Sequence, residues 1–249
     1  MCNPCIARIS GGGLRNLSLI TIVRTNKHFG FTLADVLITL GIIAIVAAMI
    51  LPAVIANYQE QEYVTRLKKA VSVFEQAKIR AMEINAIDFK NMSYGGVYVQ
   101  SEHEKFANYF KPYFNVIIDC ASPENSNTNC LNSSESIYKI DRKTRVTGLV
   151  DNTYRGYITA DGVSYFFYSG RSYVVIDVNT PKKKPNSLGY DVFFFQLDSN
   201  GKLLPVNDTD TLDECKSTGF SCAKWVLLYG NQAYRKCPEK VEYNRKTKC

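Results

Sequence analysis

The chain has 249 residues, with 30 basic and 23 acidic side chains and a formal charge of +7. Hydrophobic residues make up 46% and charged residues 21%, the balance of an ordinary globular protein with a core, long enough for one domain plus an anchor or for two small domains. The positive charge is uneven: residues 1–30 hold Arg8, Arg15, Arg24 and Lys27 with no acid, so residues 31–249 carry 26 basic against 23 acidic side chains, too even to argue for nucleic acid on charge.

The first informative stretch is KHFGFTLADVLITLGII, Lys27 to Ile43. From Val36 to Ala56 follow 21 residues without a charge. As a helix they span about 30 Å, the hydrocarbon thickness of a bilayer. A cleaved export signal has an apolar core of only about 7–15 residues, so this run is too long for one, although Val54-Ile55-Ala56 would pass as a small-residue cleavage site. The basic residues Arg8, Arg15, Arg24 and Lys27 precede the run with no acid among them, which places residues 1–30 in the cytoplasm and the C-terminal bulk outside. Pro52 is expected to kink or loosen the helix. After Asn57 the pattern turns amphipathic, with Val64, Leu67, Val71, Phe74 and Lys78 or Ile79 at helical spacing. One helix from Phe31 to near Asn85 is the simplest reading. Asp35 is the anomaly in it. A carboxylate reaching the bilayer centre costs roughly 2.5–3.5 kcal/mol.

These residues resemble the N-terminal processing motif of type IV prepilins and type II secretion pseudopilins. The likeness runs from Lys27 to about Ala77: Gly30-Phe31, an acid at the fifth position after the junction, a long apolar helix, and Pro52 where such helices carry a proline. It implies that a prepilin peptidase cuts after Gly30 and N-methylates Phe31. Subunits then leave the inner membrane through an assembly machinery and pack their helices into a filament core with other pilin subunits. Cutting creates an α-amino cation near pKa 8 on Phe31. Asp35 can neutralise it in the same or a neighbouring subunit, and a close pair offsets much of the desolvation of each charge. The family's usual residue is glutamate, so Asp35 reaches about 1 Å less far, one methylene shorter. The implied organisation is a leader (1–30), a transmembrane or filament-core helix half (31–56), an amphipathic half (57–87) and a globular head (88–249).

Past about Ile87 the chain reads as loop and then strands. Tyr154–Ala160, Val163–Ser169, Tyr173–Val178 and Asp191–Leu197 are rich in Val, Ile, Tyr and Phe, and Asp161-Gly162 between the first two is a hairpin signal. The expected fold is α+β: a long N-terminal helix on an antiparallel sheet of about four strands, which is also what pilin-like proteins have. Eight cysteines lie at 2, 5, 120, 130, 215, 222, 237 and 249. Loop cysteines beyond a membrane-entry segment favour disulfides in an oxidising compartment. For Cys120, Cys130, Cys215, Cys222, Cys237 and Cys249, pairing of sequence neighbours is the simplest of the possible connectivities. The last four, with Trp225, read as a stapled flap near the C-terminus.

Asp177, Asn179 and Asp191 are hard oxygen ligands in a turn-rich segment and form a candidate calcium site, which the calcium loop of major pseudopilins makes more pertinent. Against it stand an irregular spacing and the run Lys182-Lys183-Lys184. That run is a solvated loop tip before it is a nucleic-acid contact. Beyond residue 30 the single histidine is His103, in SEHEKF, without the spacing of a zinc protease, and nothing argues for an enzyme. The expectation is therefore a pilin or minor pilin of a type IV pilus-like filament, with the secretion pseudopilin as its nearest alternative. The alternative from another class is a signal-anchored or secreted extracellular binding domain.

Overall fold

A computed structural model describes residues 30, 32–85, 100–120, 130, 137–146, 155–168, 172–206, 212–245 and 249, with the backbone alone for residues 85 and 100–103. The expected leader before Gly30, Phe31, and the side chain of His103 lie outside the described residues. The chain divides into two compact units, residues 1–49 and 50–249. Helix α1 (Leu33–Asn85) is assigned without a break across that division and through Pro52.

In the first unit α1 is apolar all round. Leu33, Leu37, Ile38, Leu40, Ile42 and Ile43 are all exposed. It is one helix, near the N-terminus, long and apolar enough to cross a membrane. A helix suits such a stretch because it satisfies its own backbone polar groups where no water can.

In the second unit α1 becomes one-sided. Tyr63, Leu67, Ala70, Phe74, Ala77 and Ala81 are buried at intervals of three and four residues, the spacing of one helix face. Of the expected stripe, Val64, Leu67, Phe74 and Lys78 are buried, Val71 is only partly buried and Ile79 is exposed. Ala70, Ala77 and Ala81 complete the face, because small residues let a helix lie close against aromatic rings. Helix α2 (Gln100–Phe110) was expected as loop. Its apolar contribution is confined to Phe106, Ala107 and Phe110, all buried, so its sequence looks polar. Phe110 lies 5.1 Å from the Phe74 ring and stacks on Phe167 at 5.5 Å.

Among the described residues the sheet has six antiparallel strands in sequential order, not about four. They are β1 (Val116–Asp119), β2 (Arg155–Thr159), β3 (Ser164–Tyr168), β4 (Tyr173–Asp177), β5 (Val192–Leu197) and β6 (Leu203–Pro205). The four expected strands are β2 to β5. The two missed ones are the short edges, and three or four residues carry too little pattern to be read. Between β2 and β3 the Asp161-Gly162 turn has Gly162 at φ 74° and its N–H donating to Thr159 C=O at 2.9 Å.

Both faces of the sheet are covered. Tyr157, Tyr165, Phe167, Ile176, Phe193 and Phe195 belong to the core shared with α1 and α2. Phe166, Tyr168, Tyr173, Val175 and Phe194 join Ile137, Leu188 and Val206 in a second cluster on the alternating positions. This explains why SYFFY and VFFF are almost continuously apolar, where a half-solvated sheet would alternate. Gly156 is fitted to this second layer: a Cβ there would stand 2.2 Å from the Phe166 ring.

The C-terminal segment is a helical cap and not a flap. Helices α3 (Leu212–Ser217), α4 (Cys222–Tyr229) and α5 (Ala233–Lys236) bury Cys215, Trp225 and Tyr234 in the main core. Disulfides join Cys120 to Cys130, Cys215 to Cys222 and Cys237 to Cys249, each to its sequence neighbour.

Candidate assembly segment and a buried carboxylate pair

Two groups of residues stand out as chemistry beyond packing, one in each unit. The first is the start of α1. Gly30 is exposed, and a Cβ on it would meet nothing within 4 Å. Thr32 and Asp35 then cap the helix reciprocally. The Thr32 backbone N–H and hydroxyl donate to Asp35 Oδ2 at 3.0 and 2.7 Å, and the Asp35 N–H donates to Thr32 Oγ1 at 3.2 Å. This is a capping box, in which a hydroxyl and an acid three residues apart satisfy two amides that the first turn leaves without partners. The pattern Thr-x-x-Asp was legible in the sequence and gives the acid a local role that needs no second subunit.

The second group is the long connection between β4 and β5, residues 178–191. Asp177, Asn179 and Asp191 meet there, and all three are buried. The Asn179 N–H donates to Asp177 Oδ1 at 3.0 Å, and its side-chain amide donates to Asp191 Oδ2 at 3.2 Å and to the Tyr63 hydroxyl at 3.1 Å. Asp191 also accepts from the N–H groups of Asn186 (3.0 Å) and Ser187 (2.6 Å). Asn186 and Tyr63 are the members that spacing alone could not have named. Asn186 sits at φ 51° and Tyr63 comes from α1, more than a hundred residues away.

Burial dominates the electrostatics of the pair. It raises the Asp177 carboxyl well above its ordinary value, and the charge of Asp191 adds to the effect. Asp191 is pushed up to about 6 by burial, against the hydrogen bonds that favour its ionised form. The nearby Arg66, which donates to the carbonyls of Asp161 and Gly162 at 2.9 and 2.6 Å and pairs with Glu62 at 3.4 Å, opposes this only in part.

Asp177 Oδ2, Asn179 Oδ1 and Asn186 Oδ1 are buried without a hydrogen-bond donor. Such oxygens suit a hard cation, and Lys182, Lys183 and Lys184 are exposed on the loop tip. Three free oxygens are nevertheless fewer than the roughly six to eight that calcium takes. Among the described residues no group of three or more acids, histidines or cysteines is placed to hold a metal. A proton on one of the two carboxyls asks less of the site. It removes one buried charge and turns one acceptor into a donor.

Comparison with family models, with curated proteins and with solved structures finds no match for the chain. What the fold itself defines is an α+β protein in which one long N-terminal helix continues from an apolar half into the core of a six-stranded antiparallel sheet domain.

Proposed function

We propose that this chain is a structural subunit of a type IV pilus-like filament, a pilin or minor pilin. In this reading a prepilin peptidase cuts after Gly30 and N-methylates Phe31. The precursor sits in the inner membrane with its C-terminal domain outside, and assembly draws it into a surface or periplasmic filament of like subunits. The observation that carries the reading is the division of labour along α1. Its Tyr63–Ala81 face is consumed by the sheet domain, whereas Leu33 to Ile55 present large apolar side chains with no cover. Apolar surface on that scale marks an interaction with lipid or protein, and a helix that must serve first lipid and then neighbouring helices has that composition. The exposed Gly30 and the acid five residues beyond it fit a processed N-terminus whose new amine needs a counter-charge. The secretion pseudopilin is the nearest relative of this reading. A head with two covered sheet faces and three disulfides supports a displayed pilus subunit over a minimal one.

Mass spectrometry of the N-terminal peptide, from protein recovered from its native host, tests the proposal. The expected species begins at Phe31 and carries one additional methyl group. A chain beginning at Asn57 would make this an exported binding domain, and an unprocessed N-terminus would make it a signal-anchored one.

A further inference from the structure

Within the second unit α1 begins with Ile50, Leu51, Val54 and Ile55, all exposed, and its uncharged run ends at Ala56. Contacts along α1 then order the parts of the head by height above that end. Lys236 Nζ meets Asn57 Oδ1 at 2.8 Å and Glu60 Oε2 at 2.7 Å, and the Gln232 N–H donates to Glu60 Oε1 at 3.0 Å. Asn179 donates to the Tyr63 hydroxyl at 3.1 Å, and the Tyr190 ring lies edge-on to the Tyr63 ring at 5.1 Å. The β2–β3 turn follows at Arg66 and Lys69, and α2 and β6 meet α1 only at Phe74 and Glu75. The parts of the head nearest Ala56 are therefore α5 and the β4–β5 connection.

This end of the head is where the cations collect. The guanidiniums of Arg142 and Arg235 lie 4.2 and 3.6 Å from the centre of the Tyr190 ring, which fixes both at the level of Tyr63. Lys182, Lys183 and Lys184 are exposed between Asn179, bonded to Tyr63, and Asn186, bonded to Asp191. Each is within three residues of one of these anchors, so its Cα lies within about 10 Å of an anchored residue. Residues 139–145 carry four cations and one acid, residues 180–186 three lysines and no acid, and residues 233–240 three cations and one acid. Beyond position 30 the rest of the chain is acidic, with 16 basic residues to 21 acids.

The acids at this level are already engaged. Glu60 is taken by Lys236, and Glu62 pairs with Arg66 at 3.4 Å. Asp141 turns onto the N–H groups of Lys143 and Thr144, and Asp177 and Asp191 are buried. Among the described residues none of Arg142, Lys182, Lys183 and Lys184 is ion-paired.

We propose that this base of the head is a docking surface for the phosphate headgroups of anionic phospholipids, which hold it against the bilayer around α1. The proposal rests on the reading that the apolar half of α1 lies in a membrane. With Ala56 at the hydrocarbon boundary, Tyr63 stands about 10 Å beyond it, just past a headgroup layer of about 5–7 Å. The cations at that level are within a Debye length of the lipid phosphates, about 8 Å at physiological salt. Attraction to a charged surface needs cations on one side of the protein, not their convergence on one acceptor. Tyr58 is exposed in the intervening layer, where amphipathic rings favour the boundary between lipid and water. A nucleic acid would have to enter the space between the head and the bilayer to reach the same residues.

The full chain, reconstituted in phosphatidylcholine vesicles with a trace of chain-spin-labelled phosphatidylcholine or phosphatidylglycerol, tests this by electron paramagnetic resonance. The motionally restricted fraction of each label gives their relative affinity for the protein boundary. Phosphatidylglycerol is expected to be preferred by about threefold or more at low salt, and the preference should collapse in about 0.5 M NaCl. Replacing Lys182, Lys183 and Lys184 together by glutamine should lower it by about half or more. Lys202→Gln, beside β6 at the far level of the head, should leave it unchanged. Arg24 and Lys27 act at the opposite leaflet in every protein compared, so the difference between parent and variant reports the head. If neither label is restricted, α1 is not in the bilayer, and the membrane reading fails together with the proposal. If both are restricted but the lysine variant, still folded by circular dichroism, keeps the parent's preference, the membrane reading stands and the proposal fails.

Discussion

Asp177 and Asp191 are joined through a single residue: Asn179 donates its backbone N–H to the first and its side-chain amide to the second. Two acids share one buried bracket between β4 and β5, with an oxygen of Asp177 left without a donor.

This arrangement makes stability depend on pH with a definite sign. Both carboxyls are raised above 3.8 in the folded protein, Asp191 to about 6. Between those values the native state keeps protons that the unfolded chain releases. Their stabilisation is therefore full below about pH 4 and is lost as pH rises toward 6 and above. Asp177→Asn removes one charge and places an amide donor among unsatisfied oxygens. Relative to the parent, the variant should gain on the order of 1–3 kcal/mol between pH 4.5 and 7.5, measured by denaturant unfolding at the two pH values. Equal pH dependence in both proteins would show that Asp177 holds no proton in the folded state over that range.

The capping box separates two roles for Asp35. Thr32→Ala removes the cap but keeps the charge. It should loosen the first turn of α1 by about 1 kcal/mol, seen as faster amide exchange there, and leave filament formation intact. Asp35→Ala should abolish filaments, and Asp35→Glu should restore them. Filaments from Asp35→Ala at the parent yield would reduce Asp35 to a helix cap.

Two positions on the same helix should respond in opposite ways. Phe74 is fully buried among Phe110, Phe114, Tyr165 and Phe167, so Phe74→Ala should cost roughly 3–5 kcal/mol of head stability. Ile43 is exposed, and Ile43→Ala should change head stability by less than about 0.5 kcal/mol while weakening assembly. Chemical denaturation reads the first quantity and filament yield the second.

The Cys215–Cys222 bridge ties α3 to α4 inside the main core. Replacing both cysteines by alanine should lower stability by roughly 2–4 kcal/mol. Reductant should then have a smaller further effect on the variant than on the parent. An unchanged unfolding midpoint would mean that packing alone holds the cap.

Much of this architecture was readable because it rests on long, repetitive signals. A helix of 53 residues and four strands dense in β-branched and aromatic side chains leave periodicities that few alternatives share. What escaped was encoded by contrast with distant partners. The contact face of α1 uses Ala70, Ala77 and Ala81, which look neutral until rings are brought against them. Helix α2 carries its apolar weight on three residues, and β1 and β6 are too short to show a pattern. The acids at 177 and 191 could be nominated from composition. Asn186, Tyr63 and the two arginines on Tyr190 could not, since only the chain's path brings them together.

The inconspicuous outer strands have a consequence for how the molecule survives at high concentration. The inner segments SYFFY and VFFF have the composition of chains that stack on one another without limit. They are fenced on both sides. β1 carries a register irregularity between Val116 and Ile118, and its Asp119 is clasped by Lys111 at 2.7 Å and Arg155 at 3.2 Å. β6 ends on Pro205, which has no N–H to offer a further strand. If the chain polymerises through its helix as proposed, these edges close the other road to polymerisation. Exchanging Pro205 for valine would restore one N–H at that edge, and a rise in edge-to-edge association at high concentration is the expected result.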